Sequence, residues 1–136
     1  MKQTILILCT GNSARSQMAE GLLRHEAGGR FEVFSAGTRP TRVRPEAIAV
    51  MRELGIDLSG HRSKSADEFA GRALDYVITV CDNARETCPV FPGAVTRLHW
   101  PFEDPAAVEG SEAERLAAFR KVRDQIHARI RSFLHE

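Results

Sequence analysis

The sequence predicts an α/β domain in which a four-stranded parallel sheet is flanked by helices, and two patterns lead to this expectation. Short runs of β-branched and aliphatic residues alternate with segments whose apolar residues recur every three or four positions. Strands that alternate with helices favour three layers, with crossover helices covering a parallel sheet. Because 136 residues is also the size of one domain with a sizeable core, we expect a single domain over residues 1–136.

The strands are expected where apolar residues form short continuous runs, which is typical of strands buried on both faces. Four segments meet this description: Thr4–Leu8, Phe31–Ser35, Asp75–Val80 and Val95–His99. A turn at Gly37 is expected to follow the second strand.

The helices are expected between these strands. The predicted segments are Arg15–Ala27, Glu46–Leu54, a short Ala66–Ala70 and Glu112–Leu134. Gly28 and Gly55 each follow the end of a helix, and Pro45 lies in the first turn of another. The last segment is long, and its apolar spacing of three and four predicts an amphipathic helix.

The composition is that of an ordinary globular protein, with 43% hydrophobic and 27% charged residues. A net charge of +1 provides no strong field that would attract nucleic acid or a membrane surface. No apolar run approaches the roughly 20 residues of a membrane span, and Ile5–Leu8 is too short for a signal-peptide core. We therefore expect a cytoplasmic protein, and the modest charge favours a monomer.

The three cysteines are Cys9, Cys81 and Cys88, and in a reducing compartment we expect reactive or inert thiols rather than a disulfide framework. Cys9 and Cys81 each directly follow a predicted strand. Sheets of this kind bind ligands beyond the carboxyl ends of their strands, so both thiols and the segment after His99 are expected at one edge. No Cys-x2-Cys pair is present, so we expect no metal, and no cofactor is expected either.

The segment Cys9-Thr10-Gly11-Asn12-Ser13-Ala14-Arg15-Ser16 joins a predicted strand to a predicted helix. Such a loop aims its backbone N–H groups at an anion. The thiolate of Cys9 is the expected nucleophile, and the Ser16 hydroxyl is expected to stabilise it. Arg15 would bind two oxyanion oxygens with its guanidinium fork. The expected oxyanion-binding residues are Thr10, Gly11, Asn12, Ser13, Ala14 and Arg15. The alternative is an ordinary turn with a buried cysteine.

This stretch resembles the phosphate-binding loop of the low-molecular-weight protein tyrosine phosphatases and of the thioredoxin-coupled arsenate reductases that share their fold. Other matching segments are Gln17–Gly21, Ser35–Gly37, Cys81–Pro89 and His99–Pro105. The likeness extends in order over essentially the whole chain and is specific to the arsenate reductase branch. It implies arsenate as the substrate, with phosphate or sulfate as analogues, and arsenical resistance as the role.

The resemblance also implies roles for the remaining candidates. Asp104 matches the Asp of an Asp-Pro pair that acts as general acid in the family, although Asp-Pro by itself is a common loop pair. It implies a relay in which Cys9 attacks arsenate, Cys81 attacks Cys9, and Cys88 attacks Cys81. Thioredoxin would then reduce the last disulfide, while glutaredoxin with glutathione, or mycothiol, remains open as the electron donor.

Two other functions stay open at this point. A tyrosine phosphatase would use the same loop, but such enzymes often place aromatic residues after Asp-Pro, where this chain has Ala106-Ala107. Weak phosphatase activity is still expected, because the loop would accept phosphate. A non-catalytic oxyanion-binding or redox-sensing module would not need Asp104 at all.

Some members of this family bind potassium behind the loop, using residues that match Asn12, Glu20 and Ser35 and an Asp that follows a His-x-Ser segment. In this chain Lys64 stands in place of that Asp, after His61-Arg62-Ser63. A lysine cation near Glu20 would replace the charge of the ion, so we expect little or no potassium dependence.

Overall fold

A parallel four-stranded sheet lies at the centre of the molecule. Its strands are β1 (Gln3–Cys9), β2 (Phe31–Gly37), β3 (Leu74–Thr79) and β4 (Ala94–His99), in the spatial order β2-β1-β3-β4. The α-helices are α1 (Arg15–Ala27), α2 (Pro45–Arg52) and α3 (Glu112–Leu134), and 3-10 turns lie at Ala66–Phe69 and Pro105–Ala107. The structure is a computed structural model that describes residues 2–81 and 94–135. The predicted α/β fold is confirmed.

The two faces of the sheet are covered differently. Ile5 and Ile7 of β1 belong to the larger apolar cluster, which also contains buried residues of α1, α2 and α3. Leu6 and Leu8, which alternate with them, pack in a smaller cluster with Phe69 of the first 3-10 turn. Because successive side chains of a strand point to opposite faces, a continuous apolar run such as β1 requires cover on both sides.

Helix α3 has the bounds that its apolar spacing predicts, because its signals are local. Ser111 accepts a hydrogen bond from the Glu114 backbone N–H, and the Glu114 carboxylate accepts from the Ser111 backbone N–H, which forms a capping box. Phe119, Ile126 and Ile130 are fully buried against the sheet and its neighbours. Among the described residues, no helix is both long and apolar enough to cross a membrane.

Two predicted boundaries differ from the structure by two residues, and several others differ by one. Strand β2 continues through Gly37, where a turn was expected, because Gly37 pairs in register with Cys9 and its N–H donates to the Lys64 carbonyl. Helix α2 ends at Arg52 rather than at Leu54, and the chain turns through Gly55 at a positive φ of 76°. Contacts that are distant in sequence extend β2, whereas α2 ends in a local turn in which the N–H groups of Leu54 and Ile56 donate to the Met51 carbonyl.

Candidate active site

The carboxyl ends of the central strands meet at one edge of the sheet. Cys9 is the last residue of β1, and the N–H of Val80 donates to the Leu8 carbonyl, so β3 ends beside it. Cys81 follows directly and is fully buried. Cys9 is a free thiol, whereas Cys81 is disulfide-bonded, so the disulfide of Cys81 is not with Cys9.

The loop after Cys9 has its carbonyl groups tied down from outside. The N–H groups of Arg39, Thr41 and Arg44 donate to the carbonyls of Thr10, Gly11 and Ser13, at 2.9, 3.1 and 2.9 Å. Because the C=O and the N–H of one planar trans peptide point in opposite directions, carbonyls held outward turn the following N–H groups inward. The loop thereby presents N–H donors on its concave side.

Asn12 adopts a positive φ of 49°, a conformation that Asn tolerates better than most residues. Gly37 lies against the loop so closely that an added Cβ would meet the Thr10 carbonyl oxygen at 2.4 Å and the Asn12 nitrogen at 2.9 Å. The glycine of the Ser35–Gly37 segment is therefore required by the close approach of two backbones.

The Asn12 side chain orients a hydroxyl toward the sulfur of Cys9. The Lys64 backbone N–H donates to Asn12 Oδ1 at 2.8 Å, which fixes the amide so that Nδ2 donates to Ser16 Oγ and Ser35 Oγ, at 2.8 and 2.9 Å. Ser16 Oγ lies 2.8 Å from Cys9 Sγ. Since Ser16 Oγ already accepts a hydrogen from Asn12, its own hydrogen is available to donate to a Cys9 thiolate.

A buried carboxylate lies behind this relay. Glu20 is 2% exposed, and its Oε1 accepts a 2.6 Å hydrogen bond from the Ser35 hydroxyl. Arg24 Nη1 lies 3.0 Å and His61 Nδ1 lies 3.2 Å from Glu20 Oε2. Lys64 Nζ lies 3.8 Å from Glu20 Oε1. Three basic groups therefore surround one carboxylate, which is the arrangement that a buried charge requires.

Burial lowers the pKa of two of the basic groups around this carboxylate, Lys64 and His61. The pKa of Lys64 is lowered from its ordinary value by desolvation, with the Glu20 carboxylate acting in the opposite direction. Desolvation likewise lowers the pKa of His61 below its ordinary value, and Glu20 opposes it. With an ammonium already beside Glu20, these residues do not fit a potassium site, because a second cation there would face Lys64 rather than an unpaired carboxylate.

Arg15 lies at the start of α1 and is 4% exposed. Its Nη1 donates to the Phe102 carbonyl at 3.1 Å, and its Nη2 lies 3.9 Å from Asp104 Oδ2. Asp104 Oδ1 accepts from the Ala106 N–H at 3.0 Å, which holds the carboxyl at the start of the second 3-10 turn. Arg15 and Asp104 thus line the same space, and the Asp104 side chain is 41% exposed.

One cavity of about 410 Å³ unites these groups. The sequence-predicted residues that line it are Cys9, Thr10, Gly11, Ser13, Ala14, Arg15 and Asp104. Asn12 and Ser16 are 0% exposed and lie behind the loop, where they contact Cys9 through hydrogen bonds rather than facing the cavity. Cys88 and the expected approach of Cys88 to Cys81 lie outside the described residues.

Sequence reasoning missed part of this cavity. Thr41, Arg42, Arg44 and Ala106 also line it. The signal was present in the arginine-rich segment between Gly37 and Pro45, which follows the carboxyl end of a predicted strand. Among the described residues, no group of three or more His, Cys, Asp or Glu side chains is placed to hold a metal ion.

Comparison with known proteins agrees with this geometry. Residues 4–136 match the family described as low molecular weight phosphotyrosine protein phosphatase. An arsenate reductase of Bacillus licheniformis is 47% identical over 132 residues, which cover 97% of this chain and 95% of that protein.

Two solved structures extend the comparison. One, described as an arsenate reductase in the phosphate binding state, has a TM-score of 0.80 at 32% identity and covers 98% of this chain and 97% of its own. The other is a thioredoxin-dependent arsenate reductase of Corynebacterium glutamicum, with a TM-score of 0.71 at 30% identity. The match covers 98% of this chain and 61% of that protein. The chain therefore belongs to the low molecular weight phosphotyrosine protein phosphatase family and groups with its arsenate reductases.

Proposed function

We propose that the protein is an arsenate reductase that works by a three-cysteine relay through Cys9, Cys81 and Cys88, with thioredoxin as reductant. The observation that carries the proposal is the placement of Cys81 one residue beyond the position that lies beside Cys9 on the neighbouring strand. A phosphatase of this fold needs the loop around Cys9 but has no use for a second thiol at that point. The relatives named as arsenate reductases support the same substrate.

The first step uses the groups around the cavity. The thiolate of Cys9 attacks arsenic(V), a sulfur–arsenic bond forms and an arsenic–oxygen bond breaks. Asp104 gives its proton to the departing oxygen, which leaves as water. Arg15 and the inward N–H groups stabilise the charge on the remaining oxygens, and the Ser16 hydroxyl stabilises the thiolate before the attack.

The next steps transfer two electrons to arsenic. The thiolate of Cys81 attacks Cys9 Sγ, so that a disulfide forms while the sulfur–arsenic bond breaks and its electron pair stays with arsenic, which leaves as arsenite. Cys88 then attacks Cys81, which releases Cys9 as a thiolate and leaves a Cys81–Cys88 disulfide. A structure with Cys9 free and Cys81 disulfide-bonded is consistent with the end of this sequence.

The reductant of the final disulfide comes from outside the protein. A dithiol must return two electrons to the final disulfide, and the thioredoxin-dependent relative from Corynebacterium glutamicum favours thioredoxin. Glutaredoxin with glutathione, or mycothiol, would supply the same chemistry. A cytoplasmic location fits the relay, because its thiols must be kept reduced between turnovers.

The second candidate function is phosphatase activity, which the cavity supports because its donors fit any tetrahedral oxyanion. Among the described residues that line the cavity none is aromatic, and Ala106 follows Asp104-Pro105 at its border. A phosphotyrosine ring would therefore lack the stacking surface that aromatic side chains provide. We propose that this activity is weak and limited to activated esters.

The test is turnover of arsenate in the presence of thioredoxin, thioredoxin reductase and NADPH, followed through NADPH oxidation. We expect Cys9→Ser to lose both arsenate reduction and hydrolysis of p-nitrophenyl phosphate. We expect Cys88→Ser to lose arsenate turnover yet keep the phosphatase reaction, because only the relay needs that thiol. Equal arsenate turnover in Cys88→Ser and wild type would contradict the relay.

Asp104→Asn separates an enzyme from a binding module. The amide cannot donate a proton to the leaving oxygen as the acid does, so we expect arsenate turnover to fall by about 100-fold or more. Phosphate binding should change much less, because Arg15 and the loop N–H groups remain. Unchanged turnover in Asp104→Asn would remove the general acid from the mechanism.

A further inference from the structure

One wall of the Cys9 cavity is formed by the segment between β2 and α2. Arg42 is exposed and Arg44 is half-buried, and both line the cavity together with Thr41. Arg39 belongs to the same segment and is also exposed, but it does not line the cavity. The same short segment thus contains two arginines that face the reaction space and one that does not.

The backbone of this segment has a defined position relative to the loop. The N–H of Thr41 donates to the Gly11 carbonyl and the N–H of Arg44 donates to the Ser13 carbonyl. Arg44 is also the extended residue directly before α2, with φ −69° and ψ 135°. Arg44 is therefore anchored directly to the loop that holds Cys9, and Arg42 lies in the short stretch between the two anchored residues.

No described residue neutralises either of the two guanidinium groups. Within residues 2–81 and 94–135, neither Arg42 nor Arg44 has a side-chain hydrogen bond or an ion pair. Asp104 is the carboxylate among the described lining residues, and it faces Arg15. Glu46, close in sequence, lies 3.7 Å from Arg115 instead. Unpaired guanidinium groups bind tetrahedral oxyanions well, because their planar forks match two oxygens at once.

The cavity is larger than the anion that the inner loop would hold. At about 30 Å³ per liquid water, 410 Å³ corresponds to roughly a dozen water molecules. A single tetrahedral oxyanion against Cys9 and Arg15 fills a small part of this volume. Space therefore remains in the cavity that Arg42 and Arg44 line together with the inner loop.

We propose that Arg42 and Arg44 form an outer oxyanion subsite, which collects dianionic arsenate or phosphate from solution and passes it inward to Cys9. Its role in turnover rests on the proposed function, whereas its affinity for anions does not. Transfer inward is favourable because the inner loop offers several N–H donors in addition to the Arg15 fork. Positive charge at the mouth of a cleft also raises the rate at which anions arrive.

The first experiment measures the subsite without arsenate. In reduced protein, the rate of Cys9 alkylation is compared for iodoacetate, which is an anion, and iodoacetamide, which is neutral, with modification of Cys9 followed by peptide mass spectrometry. At low salt we expect the double variant Arg42→Gln/Arg44→Gln to lower the iodoacetate-to-iodoacetamide rate ratio by about 3- to 10-fold. The difference should shrink in high salt, because exposed charges are screened.

Matched variants make the result specific. Arg39→Gln removes an exposed arginine of the same segment that does not face the cavity, and Arg42→Lys/Arg44→Lys keeps both charges. We expect both to retain most of the wild-type ratio. An unchanged iodoacetamide rate in the double glutamine variant shows that Cys9 and its loop are intact. An unchanged rate ratio in that variant, or an equal loss in Arg39→Gln, would overturn the subsite.

The second experiment uses arsenate turnover in the thioredoxin-coupled assay. We expect the double glutamine variant to lower kcat/KM by about 5- to 20-fold while kcat stays nearly constant, because charges at a rim act on association rather than on later steps. If wild-type protein does not reduce arsenate but the alkylation ratio still falls, the proposed function fails and the subsite stands. If wild type turns over and neither measurement changes in the variant, the subsite fails and the proposed function stands.

Discussion

The two sides of the Cys9 loop differ in how their polar groups are paired. Behind the loop, Asn12, Ser16, Glu20 and Ser35 are at most 2% exposed, and each takes part in hydrogen bonds. In front of it, Arg42 and Arg44 face the cavity without a described partner. Polar groups that are buried must be satisfied, whereas cations at a cavity mouth gain nothing for binding by being paired.

The two sides therefore have different roles: the buried side positions groups around the Cys9 sulfur, and the cavity side attracts the anion. The buried side holds one hydroxyl at 2.8 Å from Cys9 Sγ through a chain of fixed donors and acceptors, so its value lies in rigidity. On the cavity side, Arg42 and Arg44 have no described ion-pair partner, so their charge is available to an incoming anion. Substitutions behind the loop should therefore change the free energy of unfolding and the reactivity of Cys9, whereas substitutions in front of it should change the binding of the incoming anion.

The largest effect is expected where the two sides meet, at Gly37. In Gly37→Ala the new Cβ would lie 2.4 Å from the Thr10 carbonyl oxygen and 3.0 Å from the Cys9 carbonyl oxygen, both backbone atoms that cannot rotate away. We expect a loss of about 3 kcal/mol in the free energy of unfolding, measured by urea denaturation. Gly60→Ala, with no heavy atom within 4 Å of its added Cβ, should change it by less than about 0.5 kcal/mol. Equal stability in the two variants would contradict the close approach.

The next effect is expected for Asn12, which links the loop to the buried side. Asn12→Ala leaves Ser16 and Ser35 without a donor and the Lys64 N–H without an acceptor, so we expect unfolding free energy to fall by about 2 kcal/mol or more. Part of this loss comes from the positive φ of 49°. Asn12→Gly removes the same side chain but tolerates that φ, so it should be more stable than Asn12→Ala by about 1 kcal/mol. The reverse order in urea denaturation would show that the backbone contributes nothing.

A smaller effect, on chemistry rather than folding, is expected for Ser16. Ser16→Ala removes the hydroxyl that donates to Cys9, and a hydrogen bond to a charged group is worth about 1.5 kcal/mol or more. We therefore expect alkylation of Cys9 by iodoacetamide at neutral pH to slow by about tenfold. Ser35→Ala removes a hydroxyl of the same network that does not contact the sulfur, so it should slow the reaction less. An equal or larger decrease of the alkylation rate in Ser35→Ala would contradict a direct stabilisation of the Cys9 thiolate by Ser16.

The pH dependence of stability tests the buried side more finely. Burial lowers the pKa of His61 in the folded protein, so below about pH 6.5, the ordinary value, the unfolded chain binds the proton more readily. The unfolding free energy is then expected to decrease as pH falls from 6.5 through the lowered pKa. His61→Gln should reduce this loss, with His25→Gln, an exposed histidine on α1, as the matched control. A steeper loss in His61→Gln would contradict the direction of the shift.

The smallest effect is expected from the choice of monovalent cation. Lys64 Nζ lies 3.8 Å from Glu20 Oε1, so the charge that potassium would neutralise already has a partner. We expect equal arsenate turnover and equal melting temperatures in potassium and sodium at one ionic strength. A strong and specific increase with potassium would show that Lys64 does not replace the ion.

Much of the fold could be predicted from the chain because the signals are local. Helix α3 begins and ends at the expected residues, since its apolar spacing, its capping box and its length all lie within one segment. The loop from Cys9 to Ser16 is local in the same sense, because eight consecutive residues carry the thiol, the hydroxyl and the guanidinium. Asp104 was selected only by a family resemblance, since an Asp-Pro pair alone is typical of loops.

The remaining features depend on contacts between segments that are far apart in sequence. Strand β2 reaches Gly37 because that residue pairs with Cys9. Arg42 and Arg44 line the cavity because the backbone of their segment donates hydrogen bonds to the loop carbonyls. The surroundings of Glu20 similarly combine residues of α1, β2 and the loop before the first 3-10 turn. No periodicity within one segment indicates any of these neighbours.

The sequence by itself determined the order of strands and helices, the nucleophile-bearing loop and the presence of two further thiols. These follow from apolar spacing and covalent distance along the chain, which are the same in any environment. Only the tertiary structure decided which side of the loop is sealed by hydrogen bonds and which side carries free charge. That choice depends on register and burial, because the free energy of a polar group is set by the groups that surround it in space.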